Sequence, residues 1–350
     1  MKRLILCCDG TWNKPDAEKD GHPIPTNVVR IAYRLAKRDG TIPQIVYYDL
    51  GVGTGNFFDR IVGGVLGKGL EDNIYDAYRF LVGNYELNDE IFLFGFSRGA
   101  FTARSISGMI RKCGILKRSA VDKYRDAKAL YHSNVRPDDP EAMDFRKNNS
   151  ISPEDPIRVK FIGVWDTVGS LGIPKKGGVT KELQFHDTEL SGTVENAYHA
   201  LALDEHRAPF LPTLWDYKPK TNQKVEQMWF CGAHSDVGGG YIQDDASLIA
   251  LQWMIDKAQA SGIKLDDEAL NAYPIVPNPH GMLHNSKGLL YALSKSVNRV
   301  IGCVKDTSQS DPTQYVHESV LQRWDADSRY RPPQLREYFK RTNNPRGQKP

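Results

Sequence analysis

Short, mostly apolar runs alternate along this chain with longer segments whose apolar residues recur at helical spacing. Leu4 to Cys8, Gln44 to Tyr48, Glu90 to Phe94, Val159 to Val164 and Lys224 to Cys231 have the length and composition of buried strands. Thr26 to Lys37 is expected to be a helix, with Asn27 as its cap and Val28, Ile31, Ala32 and Leu35 on its apolar face. Further helices are expected over Gly69 to Tyr85, Ala100 to Cys113, Val121 to His132, Ser191 to Leu203 and Asp245 to Ser261. Alternation of this kind predicts an α/β fold, a mostly parallel sheet with helices on both faces. Asn134 to Pro156 is polar and reads as a surface excursion. From Pro274 the pattern weakens into irregular structure with short helices. No internal repeat or linker divides residues 1–339, which are expected to form one domain, and 340–350 reads as a basic flexible tail.

Composition narrows the function classes. Of 350 residues, 40% are hydrophobic and 25% charged, as in ordinary globular proteins. A net charge of +3 is too small to point to nucleic acid. The five scattered cysteines give no disulfide framework and fit a reducing compartment. Cys7 and Cys8, adjacent in an expected strand, should face opposite sides of the sheet. No Cys-x-x-Cys suggests zinc. The apolar run after Met1 is too short for a signal peptide and ends at Asp9, and no run is long enough to span a membrane, so folding in the cytoplasm is expected.

Chemistry enters at Gly95-Phe-Ser97-Arg-Gly99, between the strand Glu90 to Phe94 and the helix from Ala100. A strand, Gly-x-Ser-x-Gly and a helix together form the sequence signature of a nucleophile elbow, although the pentapeptide alone also occurs as a plain loop. A serine nucleophile needs a base, and the base needs an orienting acid. In α/β-hydrolases the acid and then the histidine follow the serine, each just past a strand end. Asp166 follows the strand Val159 to Val164, and His234 follows Lys224 to Cys231. Asp166 also suits a turn cap. His317 is the rival base, and Asp236 is the next acid if Asp166 is not the one. The oxyanion donors are expected to be the amide after the nucleophile, at Arg98, and the loop Asp9-Gly10-Thr11, where Gly10 allows close backbone approach. The same loop also reads as an ordinary Asp-Gly turn. This chemistry requires no metal or organic cofactor, and the spacing of Asp9 and Asp236 gives no support for a cation.

Asp9-Gly-Thr-Trp-Asn13, Gly51-Val-Gly-Thr54, Phe94 to Arg104, Gly163-Val-Trp-Asp-Thr-Val168, His234-Ser-Asp-Val-Gly-Gly-Gly-Tyr241 and His317-Glu-Ser-Val320 together resemble the catalytic domain of type VI secretion phospholipase effectors, a group of the α/β-hydrolase class. The resemblance runs from the first strand to about Arg323. It implies a Ser-Asp-His esterase, in some members a phospholipase A, with Ser97 as nucleophile, Asp166 as acid and His234 as base. Asp9, Asp236 and His317 are then supporting residues around the centre. The partners it implies are a lipid or ester substrate, transient contact with a membrane surface and, for a secreted effector, export by a specialised secretion system and an immunity protein. The chain departs from the secreted effectors in being essentially the catalytic domain alone.

Gly51 to Leu70 interleaves seven glycines with Phe57, Phe58, Ile61, Val62, Val65 and Leu66. It reads as a mobile apolar lid or as a buried connection. Gly51 to Gly55 lacks the Lys-Ser/Thr of a phosphate-binding loop. Hydrolysis of small soluble esters or thioesters, and a non-enzymatic module keeping the fold, stay open beside the phospholipase reading.

Overall fold

Six consecutive buried residues, Arg3–Cys8, form β1 and set the axis of the sheet. The computed structural model describes residues 1–10, 13–51, 65–168, 190–215, 220, 222–286, 296–304 and 309–342, with the side chains of 65–68 outside that description. Within these residues the chain-order strands are β1, the hairpin β2 and β3 (Glu18–Lys19 and His22–Pro23), β4 (Arg38–Asp39), β5 (Ile42–Asp49), β6 (Glu90–Phe96), β7 (Val159–Trp165), β8 (Val194–Ala202), β9 (Lys224–Phe230) and β10 (Gln314–Val316). Eight of them make one sheet in the order β10-β9-β8-β7-β6-β1-β5-β4. Every neighbouring pair is parallel except β4 and β5.

The helices are α1 (Asn27–Ala32), α2 (Val65–Asn84), α3 (Arg98–Cys113), α4 (Tyr124–His132), α5 (Pro140–Asn149), α6 (His234–Gly238), α7 (Asp245–Ala260), α8 (Asp267–Ala272), α9 (Glu318–Ala326) and α10 (Pro333–Thr342). They cover both faces. Leu4, Leu6 and Cys8 pack with Ile74, Tyr78 and Leu81 of α2 and Ile106 and Met109 of α3. Ile5, Cys7, Phe92 and Phe94 pack on the other face with Val28 and Ile31 of α1 and Leu251 and Met254 of α7. The adjacent cysteines therefore belong to opposite layers, as the alternation of a strand requires. A third cluster joins Leu201 and Trp229 of the sheet to Val316, Val320, Leu335 and Tyr338.

The strand order reverses next to β1. The chain goes from β1 to β5 on one side, then crosses to β6 on the other and continues outward. In open parallel sheets the carboxyl ends of the strands flanking such a reversal bound a crevice where ligands bind. Asp9-Gly10 and Ser97 follow these two strand ends.

Several sequence expectations need correction. Ser191 to Leu203 is not a helix: Val194–Ala202 is β8, a central strand between β7 and β9. Ala197 and Leu201 on one face and Tyr198, Ala200 and Ala202 on the other are all buried, so periodicity does not separate strand from helix there. α1 ends at Ala32, and Leu35 instead bridges to Leu265. Its cap is Thr26, whose side chain accepts from Val29 N–H, while Asn27 donates to the carbonyls of Val237 and Ser247. The surface excursion contains α5, whose Arg146 is buried against the carbonyls of Arg111, Lys112 and Pro137. The segment after Pro274 supplies β10, α9 and α10. Lys340 to Thr342 close α10, and the rest of the expected tail lies outside the described residues. Of the expected lid, 52–64 lies outside them too, and Leu70 is buried in α2.

Close contact between β1, β6 and α3 depends on two glycines. A Cβ on Gly95 would lie 2.4 Å from the Gly99 carbonyl oxygen, and one on Gly99 would lie 2.1 Å from that of Cys8. Both obstacles are backbone, which side-chain repacking cannot relieve. Gly99→Ala is expected to lower stability by ~2–4 kcal/mol in thermal or urea unfolding. Gly83→Ala, with no atom within 4 Å of the new methyl, serves as the neutral or slightly stabilising control.

Candidate active site

Ser97 occupies the turn between β6 and α3 with φ 58° and ψ −118°, a conformation that L-residues rarely adopt. Its N–H donates to the Trp165 carbonyl at 3.0 Å, and the surrounding packing holds the strained turn in place. The residue is 8% exposed at the carboxyl edge of the sheet. Across the crevice, a Cβ on Gly10 would lie 3.4 Å from Ser97 Cβ. Gly10 thus brings the backbone after β1 against the serine. Its N–H is turned to Asp9 Oδ1 at 2.6 Å. Thr11 lies outside the described residues.

Asp9 anchors that loop. Its buried carboxylate accepts from Gly10 N–H, Asn13 Nδ2, Thr26 Oγ1 at 2.7 Å and the Tyr48 hydroxyl at 2.5 Å. Burial pushes its carboxyl up, and these four donors act against that push.

Asp166 follows β7 with a positive φ of 40° and no exposed surface. His234 is the first residue of α6, and its Nδ1 stands 2.6 Å from Asp166 Oδ2. Asp166 Oδ1 accepts from Ala202 N–H at 3.0 Å. Arg299 closes on the same carboxylate with both arms of its guanidinium, Nη1 on Oδ1 at 2.6 Å and Nη2 on Oδ2 at 3.0 Å. Burial alone would raise the carboxyl, but the Arg299 charge and the His234 bond overcome it and hold Asp166 well below the usual carboxylate range.

The imidazole of His234 is 5% exposed, with the Phe96 ring at 4.6 Å and the Phe210 ring edge-on at 5.0 Å. Phe96 immediately precedes Ser97, so His234 lies beside the strand end that carries Ser97. Among the described residues no hydrogen bond joins Ser97 Oγ to His234; in unliganded sites such bonds are commonly long and tighten with substrate. The backbone N–H of His234 donates to Glu205 Oε2 at 3.3 Å. Glu205 in turn is gripped by Arg207 and by the Ser286 hydroxyl.

The alternative residues are committed elsewhere. Asp236 accepts from Ala233 N–H and from a different histidine, His284, whose Nδ1 lies 2.6 Å away while its ring stacks on Tyr241. His317 caps α9: its Nδ1 accepts from Ser319 N–H, and its ring stacks on Phe230. His199, expected mid-helix, lies in β8 and accepts the Thr167 N–H at Nε2. Sequence reasoning did not single out Arg299, Glu205 or His284. Arg299 lies in the weakly patterned segment after Pro274 and belongs to no motif, so nothing local marks it.

A hydroxyl at a strained strand-to-helix turn and a buried carboxylate–imidazole pair, all at the carboxyl ends of parallel strands, define an α/β protein of hydrolase-like architecture. Residues 2–257 match the family model of the type VI secretion phospholipase effector Tle1-like catalytic domain, and the chain belongs to that family. It is 29% identical over 311 residues to the uncharacterized protein YEL023C of Saccharomyces cerevisiae, covering 82% of this chain and 43% of that protein. The chain thus spans less than half of that relative's length. Among solved structures it is similar to an uncharacterized protein from Pseudomonas aeruginosa, with 18% identity, 76% of this chain and 46% of that one covered and a TM-score of 0.44. It is also similar to the Tle1 effector bound to the VgrG spike of the type VI secretion system, with 15% identity, 79% and 76% covered and a TM-score of 0.44. Among the described residues, no helix is long and apolar enough to cross a membrane.

Burial, with a smaller contribution from Lys257, lowers His317 from 6.5 to about 4. The folded state therefore keeps this imidazole neutral while the unfolded chain protonates it below 6.5. Stability must fall as pH drops from 6.5 through 4, where the unfolded state binds the extra proton. His317→Asn keeps a capping acceptor and removes the titration. The slope of unfolding free energy over that window should flatten, by on the order of 2 kcal/mol in total, in urea titrations at stepped pH.

Proposed function

We propose that the chain is a serine esterase acting on acyl esters of phospholipids through Ser97, His234 and Asp166. The observation that carries this reading is the 2.6 Å bond from His234 Nδ1 to the fully buried Asp166, beside the strained turn that presents Ser97. Family membership supports the lipid substrate. In the proposed route, the Asp166 carboxylate receives the Nδ1–H and so leaves the lone pair on Nε2. Nε2 takes the Ser97 proton as Oγ attacks the ester carbonyl. The Arg98 amide, at the start of α3, donates to the tetrahedral oxyanion, and the second donor expected from the sequence, Thr11, lies outside the described residues. The imidazolium then protonates the leaving alcohol, and an acyl-enzyme remains on Oγ. Water, deprotonated by the same nitrogen, releases the fatty acid and restores the serine. The family reading also brings export through a type VI apparatus and, for a secreted effector, an immunity protein.

A fluorophosphonate probe is expected to label Ser97, and vesicles of glycerophospholipid should release free fatty acid. Ser97→Ala should abolish labelling and lower kcat by on the order of 10⁴-fold, and Asp166→Asn by a similar factor. Labelling with turnover of short soluble esters but no vesicle hydrolysis would replace the lipid substrate with a soluble one. Absence of labelling in the folded protein would reject the enzyme.

A further inference from the structure

Arg299 lies beyond Lys257, where the family match ends, and is only 2% exposed. A carboxylate with no solvent contact, such as Asp166, is unstable as an ion unless it is paired and hydrogen-bonded on both oxygens. One bond from His234 and one from Ala202 leave lone pairs unmet on each oxygen. The guanidinium fork meets one on each side. Its two nitrogens also donate to two carbonyls, Nη1 to Ala202 at 2.6 Å and Nη2 to Phe210 at 2.5 Å. One planar group therefore ties together the carboxylate after β7, the end of β8 and the residue whose ring packs edge-on against His234. An ammonium presents no such fork, so lysine cannot reproduce the arrangement.

We propose that Arg299 is a positioning residue of the hydrolytic centre, aiming Asp166 Oδ2 at His234 Nδ1 and, through the Phe210 carbonyl, setting the aromatic wall against the base. The chemically competent unit of this chain then reaches past the family match and includes the stretch that delivers Arg299. The inference rests on the esterase reading for its kinetic consequence, but the carboxylate–imidazole pair can be observed without turnover.

The decisive measurement is proton NMR of the full chain, following the downfield Nδ1 proton of His234, assigned by its loss in His234→Ala. In the wild type this resonance should survive acidification below the ordinary carboxylate range. In Arg299→Met and Arg299→Lys it should vanish at a pH higher by about one unit or more, as Asp166 begins to take up a proton. With vesicle or short-chain esters, kcat should fall by on the order of 10²-fold with KM nearly unchanged, and its acidic limb should move to higher pH. A merely structural arginine would cost stability without moving either titration. Folded variants with an unshifted resonance and kcat within about twofold of wild type overturn the proposal. If Arg299→Met fails to fold, Arg299→Lys decides. If both fail, loss of the wild-type resonance within the ordinary carboxylate range overturns it, and survival below that range supports it. A wild type with the resonance but no ester hydrolysis sinks the esterase reading and leaves the positioning role standing.

Discussion

A negative charge with no access to water sits at the end of β7, and much of the site is organised around keeping it there. Transferring a carboxylate into such a place is among the least favourable steps a fold can take. Asp166 is stabilised by an amide from the neighbouring strand, an imidazole and a guanidinium, drawn from three distant parts of the chain. Each donor fixes its own segment in return. Ala202 sets the register at the end of β8, His234 sets the start of α6, and Arg299 holds the strand-poor segment after Pro274 against the sheet. The third hydrophobic cluster, joining Trp229 to Val320 and Leu335, is the apolar counterpart of that attachment.

A second buried carboxylate, Asp9, does comparable work across the crevice. It collects donors from its own loop, from the cap of α1 and from β5. Thr26 serves two masters with one hydroxyl: its oxygen accepts from Val29 N–H while its proton goes to Asp9. The backbone of Gly10 is thereby fixed beside Ser97. The two carboxylates flank Ser97 from opposite sides of the reversal in strand order, and each makes rigid a wall of the cleft that loops alone would leave soft.

How legible this was in the sequence follows from how local each determinant is. The elbow was readable because its steric demands fall within five residues and need glycine at two of them. The placement of Asp166 and His234 past strand ends is legible because strand ends show as the close of apolar runs, and the structure bonds the two to each other. β8 differs from the expected helix because Ala197 to Ala202 buries residues on both faces, apolar except for His199, a pattern that suits a central strand and a buried helix equally. Asn27 is a chemically suitable cap on sequence alone, but its side chain is taken by the carbonyls of Val237 and Ser247, more than 200 positions away, and Thr26 caps the helix instead. Arg299 was invisible because its partner lies 133 positions earlier and an isolated arginine carries no pattern.

The same separations have a consequence for timing. His234 lies 68 residues after the acid it pairs with, and Arg299 lies 133 after it. A ribosome emits the chain from its first strand onward, so the residues of the Ser97 turn are made while the imidazole and guanidinium are still unmade. An unfinished polypeptide can therefore hold the Ser97 turn before the Asp166 carboxylate has its imidazole and guanidinium partners. Completion of the buried carboxylate cluster is thereby tied to the later part of synthesis, because the arginine that closes it is the last of its partners to emerge.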